Sequence, residues 1–156
     1  MTYRISRRGF TLTEAVISIA ILILLSAIGL TSFYSSKSTK SLETITDGVD
    51  IALERAKSEA MAGKDGSSFG VYIEPSAYHI FPGSTYVAGD PDNKTATVPS
   101  GWSLSVTVQG GGSSIVFGRL TGVPQNMATV TISSIQDPSL TDSIIVGQSG
   151  DISVIK

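Results

Sequence analysis

Glu14 is an acidic residue placed directly before a long apolar segment. It ends the stretch RRGFTLTE (residues 7–14), and no charged residue follows it between positions 15 and 30. A carboxylate at the edge of a hydrocarbon layer costs about 2–3 kcal/mol unless it is paired. Such an acid is by default functional, so the placement of Glu14 predicts a cationic partner for its side chain.

Gly9 is the small residue nearest to this apolar segment, and it lies before the segment. Residues 15–33 form a stretch of the length that spans a bilayer, about 17–25 residues. A secretory signal is normally cut at small residues after its apolar region, and no such site follows here. A cut after Gly9 would leave the apolar helix on the mature chain and would create a free amine on Phe10.

The basic residues of the N-terminus predict the orientation of the chain across a membrane. Arg4, Arg7 and Arg8 precede the apolar segment, so the positive-inside tendency places the N-terminus in the cytoplasm and residues 34–156 outside. Removal of residues 1–9 leaves 8 basic and 13 acidic residues, a formal charge of −5. That charge makes nucleic acid an unlikely partner by bulk attraction.

RRGFTLTE followed by an apolar helix resembles the prepilin leader of type IV pilins and type II secretion pseudopilins. The resemblance implies that a prepilin peptidase cuts after Gly9 and methylates the new N-terminal amine of Phe10. Arg7 and Arg8 match the basic pair of the leader. Glu14 becomes the fifth mature residue, which in this family is thought to pair with the N-terminal amine of a neighbouring subunit.

Other residues give little support for catalysis or for a cofactor. His79 is the single histidine, and there is no cysteine, so a zinc site or a nucleophilic triad lacks its parts. Asp90, Asp92 and Asn93 have a spacing that is typical of calcium-loop ligands. They lack the central glycine and the downstream glutamate of an EF-hand, which favours a solvated loop. We therefore predict a protein that is not an enzyme and that has no cofactor.

The elements that position these residues begin with one long helix. Apolar residues at spacings of three and four predict an amphipathic continuation that ends at Gly63, a plausible C-cap. These residues are Leu42, Ile45, Val49, Ala52, Ala56 and Ala60. The prediction divides the chain into a leader at residues 1–9, a transmembrane or filament-core helix at 10–33, and an amphipathic helix at 34–63.

Residues 64–156 follow a period of two and predict a β-rich domain. The class is α+β, in which a long N-terminal helix packs on antiparallel strands. Residues 89–101 predict an exposed loop. The predicted strands lie at residues 69–74, 77–81, 84–88, 102–108, 113–117, 128–133, 143–147 and 151–155.

The second half of the chain most resembles minor H-type pseudopilins and related minor pilins, through IVFGRLTGVP (residues 115–124) and the closing hairpin SIIVGQSGDISVIK (residues 143–156). The resemblance implies a structural subunit of a type IV pilus or a type II secretion pseudopilus. Its partners would be other pilin or pseudopilin subunits, the prepilin peptidase, the bacterial inner membrane and the assembly platform. The alternative is a filament-borne binding module for DNA or a secreted substrate, although Lys156 is the one basic residue at the last strand.

Overall fold

The computed structural model describes residues 9–156, with side chains described at residues 9–26 and 37–156. The chain divides into two compact units, one up to Ser38 and one from Thr39 to Lys156. Helix α1 runs from Leu12 to Met61. A single 3-10 turn, Lys64–Gly66, follows it.

In the second unit, helix α1 buries the predicted apolar stripe. Leu42, Ile45, Val49, Ala52, Ala56 and Ala60 are all buried. The helix stops two residues before Gly63, whose φ of 62° is left-handed. Glycine has no Cβ to oppose this conformation, so Gly63 is suited to the position after a helix. The predicted helix end is therefore confirmed.

Eight strands follow, and they form two four-stranded antiparallel sheets. The first sheet has the order β3-β2-β1-β5 and the second the order β4-β6-β7-β8. The strands are β1 Phe69–Glu74, β2 Ala77–Pro82, β3 Lys94–Thr97, β4 Trp102–Val108, β5 Ser114–Phe117, β6 Ala128–Ser134, β7 Thr141–Val146 and β8 Ile152–Ile155. The α+β class is confirmed, with the helix packed on antiparallel sheets.

One core unites the helix with both sheets. Leu53 of α1, Val71 of β1, Phe117 of β5, and Val130 and Ile144 of the second sheet are completely buried in it. Each such side chain contributes about 1.5–3 kcal/mol by leaving water. A polar pair also lies inside: Thr46 of α1 donates a hydrogen bond of 2.9 Å to Asp142 of β7. This pair ties the helix to the second sheet at one point.

The third strand corrects the prediction from sequence. Residues 84–88 do not form a strand, and β3 (Lys94–Thr97) lies inside the segment predicted as a loop. Tyr86 instead stacks on Tyr72 of β1 with ring centroids 4.2 Å apart. Thr95 pairs with His79 in the register between β2 and β3. Packing on the first sheet has therefore overridden the local alternation of residues 84–88.

Candidate functional site at the start of helix α1

The predicted cleavage and pairing residues lie together at the beginning of α1. Thr11 is the capping residue: the Glu14 backbone N–H donates to Thr11 Oγ1 at 3.3 Å, and the Ala15 N–H donates to the Thr11 carbonyl at 3.1 Å. A threonine cap with a glutamate three residues later is the capping-box pattern. An acidic side chain in the first turn is also favoured by the helix dipole. The same residues that match the leader thus fix where the helix begins.

The Gly9–Phe10 peptide bond lies outside the helix and is exposed. The Phe10 side chain keeps 77% of its surface accessible. A Cβ added at Gly9 would meet no described atom within 4 Å. The described part of the chain therefore does not require glycine at position 9.

The carboxylate of Glu14 is exposed at this helix start. Within the part of the chain that the structure describes, it forms no ion pair and does not return a hydrogen bond to Thr11. The capping box is therefore only half formed, and the carboxylate remains available. Arg7 and Arg8, the basic residues predicted for the leader, lie outside the described residues.

The first turns of α1 expose apolar side chains in all directions. Val16, Ile17, Ile19 and Leu22 are each exposed, and helical spacing places them on different faces. The hydroxyl of Ser26 is satisfied within the helix by the Leu22 carbonyl at 2.7 Å. Among the described residues, no helix has both the length and the apolarity that membrane crossing requires.

His79 is placed on the outer face of the first sheet, as predicted for a strand residue. Its Nδ1 lies 2.8 Å from Thr95 Oγ1, and its Nε2 lies 3.8 Å from a Glu74 carboxylate oxygen. The imidazole also contacts the Tyr72 and Tyr86 rings. This environment is a packed surface cluster, and among the described residues no set of three or more histidine, cysteine or acidic side chains surrounds it as metal ligands.

The loop that contains Asp90, Asp92 and Asn93 uses these side chains for its own shape. Asp90 Oδ1 accepts a hydrogen bond from the Asp92 N–H at 2.9 Å. Asn93 Nδ2 donates to the Val87 carbonyl at 2.8 Å. Nowhere in the described chain do three or more histidine or acidic residues converge as metal ligands. These hydrogen bonds order the turn, so the positions of Asp90, Asp92 and Asn93 are explained without a bound cation.

A charge cluster around Glu59 was missed by reasoning from the sequence. Its carboxylate accepts hydrogen bonds from Arg55 at 3.0 Å, from Lys64 at 3.2 Å and from Lys94 at 3.2 Å. Burial by itself raises the pKa of Glu59, but these three donors outweigh it and lower the pKa to about 2. The i to i+4 spacing of Arg55 and Glu59 was the one local signal. The cluster joins the end of α1 to the edge strand β3.

The chain thus combines an exposed glycine and aromatic residue at a helix start with a helix that packs on antiparallel sheets in its second unit. Residues 4–30 match the family model described as the prokaryotic N-terminal methylation motif. No curated protein sequence matches the chain.

Two solved structures share the fold at low sequence identity. The minor pseudopilin EpsH of the type 2 secretion system of Vibrio cholerae is 15% identical, with a TM-score of 0.58 over 74% of this chain and 96% of that one. The type IV minor pilin FimU of Pseudomonas aeruginosa is 13% identical, with a TM-score of 0.60 over 75% of this chain and 90% of that one. The chain therefore carries this N-terminal motif and shares its fold with a minor pseudopilin and a minor pilin.

Proposed function

We propose that this chain is a structural and assembly subunit, a minor pilin or pseudopilin. A prepilin peptidase cuts it after Gly9 and methylates Phe10, and it then polymerises through its N-terminal helix. The observation that carries the proposal is the exposed Gly9–Phe10 bond immediately before a capped, apolar helix start, within residues that match the methylation motif. Residues 10–33 anchor the subunit in the bacterial inner membrane before assembly, with the leader in the cytoplasm and the globular domain outside.

Glu14 is the proposed assembly contact. Cleavage creates an α-amine on Phe10, and an unpaired carboxylate in an apolar setting favours pairing with such an amine on a neighbouring subunit. The exposed apolar side chains that surround Glu14 give this pair a low-dielectric setting once helices pack together. Pairing would then fix the axial register between subunits.

The alternative function, a filament-borne module that binds DNA or a secreted substrate, has less support. Lys156, the basic residue next to β8, is engaged in an ion pair of 3.2 Å with Glu43 of α1. The mature chain carries a formal charge of −5. Both features disfavour a polyanion as the ligand.

Mass spectrometry of the protein expressed with its prepilin peptidase tests the processing step. We expect loss of nine residues and a methylated Phe10, and we expect Gly9→Val to remain uncut. Because a side chain at position 9 meets no described atom within 4 Å, the Val variant should keep the wild-type fold, and circular dichroism can check this. An intact N-terminus in the wild type, or normal cutting of Gly9→Val, would refute the proposed site.

A further inference from the structure

A shallow groove of about 260 Å³ lies between α1 and the edge of the first sheet. Ile51 of α1, which is 65% exposed, lines it on one side, and strands β2 and β3 line it on the other. Tyr78 of β2 lies beside Ala96 of β3 in the register. The Tyr78 hydroxyl approaches α1 so closely that a Cβ added at Gly48 would lie 2.9 Å from it. Gly48 therefore leaves room for this tyrosine between the helix and the sheet.

Strand β3 presents an unpaired backbone edge beside the groove. It is the first strand in the order β3-β2-β1-β5, so one of its edges is not paired within that sheet. The Val98 N–H donates to the Ser76 carbonyl, just before β2, at 2.8 Å. Because backbone groups alternate in direction along a strand, those of Thr95 and Thr97 point away from β2. Such an edge is a template for a further strand.

Two basic side chains line the same groove, Arg55 of α1 and Lys94 of β3. Both donate to one oxygen, Glu59 Oε1, at 3.0 Å and 3.2 Å. The two side chains are 51% and 44% exposed. The other two guanidinium nitrogens of Arg55 donate to no group that the structure describes, although each carries N–H donors. Two positive charges therefore share one negative charge, and donors remain for a second carboxylate.

The acidic residues near the groove do not line it. Helical spacing places three acids of α1 on the flank that faces away from β3, and these are Asp47, Asp50 and Glu54. Asp65 and Asp92 line a neighbouring depression that also includes Lys94, but neither forms an ion pair with that lysine. Among the described residues, every charged side chain that lines the groove is therefore positive. The groove is complementary to a carboxylate attached to an apolar body.

We propose that this groove binds an extended peptide segment of another protein, one that places a carboxylate next to an apolar residue. The peptide adds a strand to the free edge of β3 through the backbone groups of Thr95 and Thr97, and its apolar side chain covers Ile51. Its carboxylate, from an acidic side chain or from a C-terminus, accepts hydrogen bonds from Arg55 and Lys94. Backbone pairing of this kind supplies affinity, and the charged contact supplies specificity. The binding requires neither cleavage nor polymerisation, so it goes beyond the proposed function.

Titration calorimetry on the full-length chain in detergent micelles measures this binding, with micelles alone as the blank. The probes are three acetylated hexapeptides of alternating valine and serine. One ends in a free carboxylate, one is amidated and has an aspartate as its next-to-last residue, and one is amidated and has no acid. We expect at least one acidic peptide to bind at least tenfold more tightly than the neutral peptide, a difference of about 1.4 kcal/mol. The tighter of the two acidic peptides identifies the source of the carboxylate.

Two results with these probes would overturn the proposed site. The first is an equal affinity for all three peptides, or no saturable binding of either acidic peptide at up to about 1 mM. The second is displacement of the acidic peptide by an equal concentration of sodium acetate, which would show that the groove takes only an isolated anion.

N-methylation of alternate peptide nitrogens tests strand addition in the same assay. Only alternate N–H groups of an added strand point toward β3. Methylation of one set should therefore lower the affinity at least about tenfold, and methylation of the other set less than about threefold. Similar losses from both sets would contradict backbone pairing with β3.

Lys94→Gln and Lys64→Gln form a matched pair of variants. Both lysines are 44% exposed and lie 3.2 Å from Glu59, but they contact different oxygens and only Lys94 lines the groove. Lys94→Gln should weaken binding of the acidic peptide at least about fivefold, whereas Lys64→Gln should change it less than about twofold. Equal losses would show that the peptide responds only to the general charge of the Glu59 cluster, which would rule out the site.

Ile51→Ser tests the apolar contact without a change in charge. Because Ile51 is 65% exposed, this variant should keep the fold, which circular dichroism checks. We expect the affinity for the acidic peptide to fall at least about threefold, because the peptide loses an apolar surface to cover. An unchanged affinity would show that the peptide does not occupy the groove, and this result stands even if Lys94→Gln fails to fold.

Discussion

Substitution of Glu59 by glutamine should weaken the globular domain in a manner that depends on pH. Glu59 accepts hydrogen bonds from Arg55, Lys64 and Lys94, and its side chain is 15% exposed. The amide of glutamine keeps the size of the side chain but loses the charge that three cations share. The remaining amide oxygen can still accept a hydrogen bond, but the three basic side chains lose the negative charge that they share.

The magnitude follows from the lowered pKa. A fall from 4.5 to about 2 corresponds to about 3 kcal/mol at about 1.4 kcal/mol per pKa unit. The side chains of Arg55, Lys64 and Lys94 are each about half exposed. Solvent therefore screens their charges, which reduces the contribution of Glu59 to the free energy of unfolding to about 1–2 kcal/mol. Because the folded pKa lies below the ordinary value, this stability is present above about pH 4.5 and is lost as the pH falls toward about 2.

Urea unfolding of residues 35–156 at pH 7 and at pH 2 measures the effect. We expect Glu59→Gln to lower the free energy of unfolding by about 1–2 kcal/mol at pH 7 and by much less at pH 2. Glu43→Gln is the matched control, since Glu43 forms an ion pair with Lys156 in which the two side chains are 48% and 63% exposed; we expect a loss of less than about 0.5 kcal/mol. Equal losses for Glu59→Gln at both pH values would refute the reasoning.

Three further predictions concern folding and assembly. Residues 35–156 alone should give a folded α+β domain, which circular dichroism checks, and partly buried Trp102 should emit at a shorter wavelength than free tryptophan. Leu53→Ala should lower the free energy of unfolding by about 2–5 kcal/mol in urea, because Leu53 is fully buried. Glu14→Ala should leave cleavage intact but reduce incorporation into filaments at least tenfold, as measured by immunoblot of the sheared fraction. An isolated Phe10 amine in an apolar setting costs more than about 1.4 kcal/mol, and that free energy already shifts an equilibrium tenfold.

Features encoded by neighbouring residues could be predicted from the sequence. The stripe from Leu42 to Ala60 has a helical period, and Gly63 ends it, so the end of α1 follows from local chemistry. Gly9, Phe10 and Glu14 lie within six residues of one another, and the structure places them together at one helix start. The core strands β1 and β6 have alternating or continuous apolar residues, which favour a strand, and burial of these residues in the core stabilises the same conformation.

Features that depend on distant partners could not be predicted. Strand β3 is short and polar, and it is stabilised by pairing with β2 rather than by its own composition. Lys94 reaches Glu59 across 35 positions of sequence, and no spacing rule links them. Residues 84–88 have the alternation of a strand, but the stacking of Tyr86 on Tyr72 holds them in a loop. Long-range contacts decide these cases, because each outweighs a weak local preference.

Helix capping and the proposed pairing with a neighbouring amine are two physical reasons for an acid at position 14, and they differ in which variants should reduce assembly. Thr11 caps the helix, and Glu14 stands where a capping box places glutamate or glutamine. If capping were its whole role, Glu14→Gln would assemble as well as the wild type and Glu14→Ala would lose only helix stability, about 0.5–1 kcal/mol. If the carboxylate pairs with the Phe10 amine of a neighbour, both variants lose the charge and should assemble equally poorly. The half-formed box favours the second account, since the carboxylate is not used within the described chain, and a glutamine variant that assembles normally would establish the first.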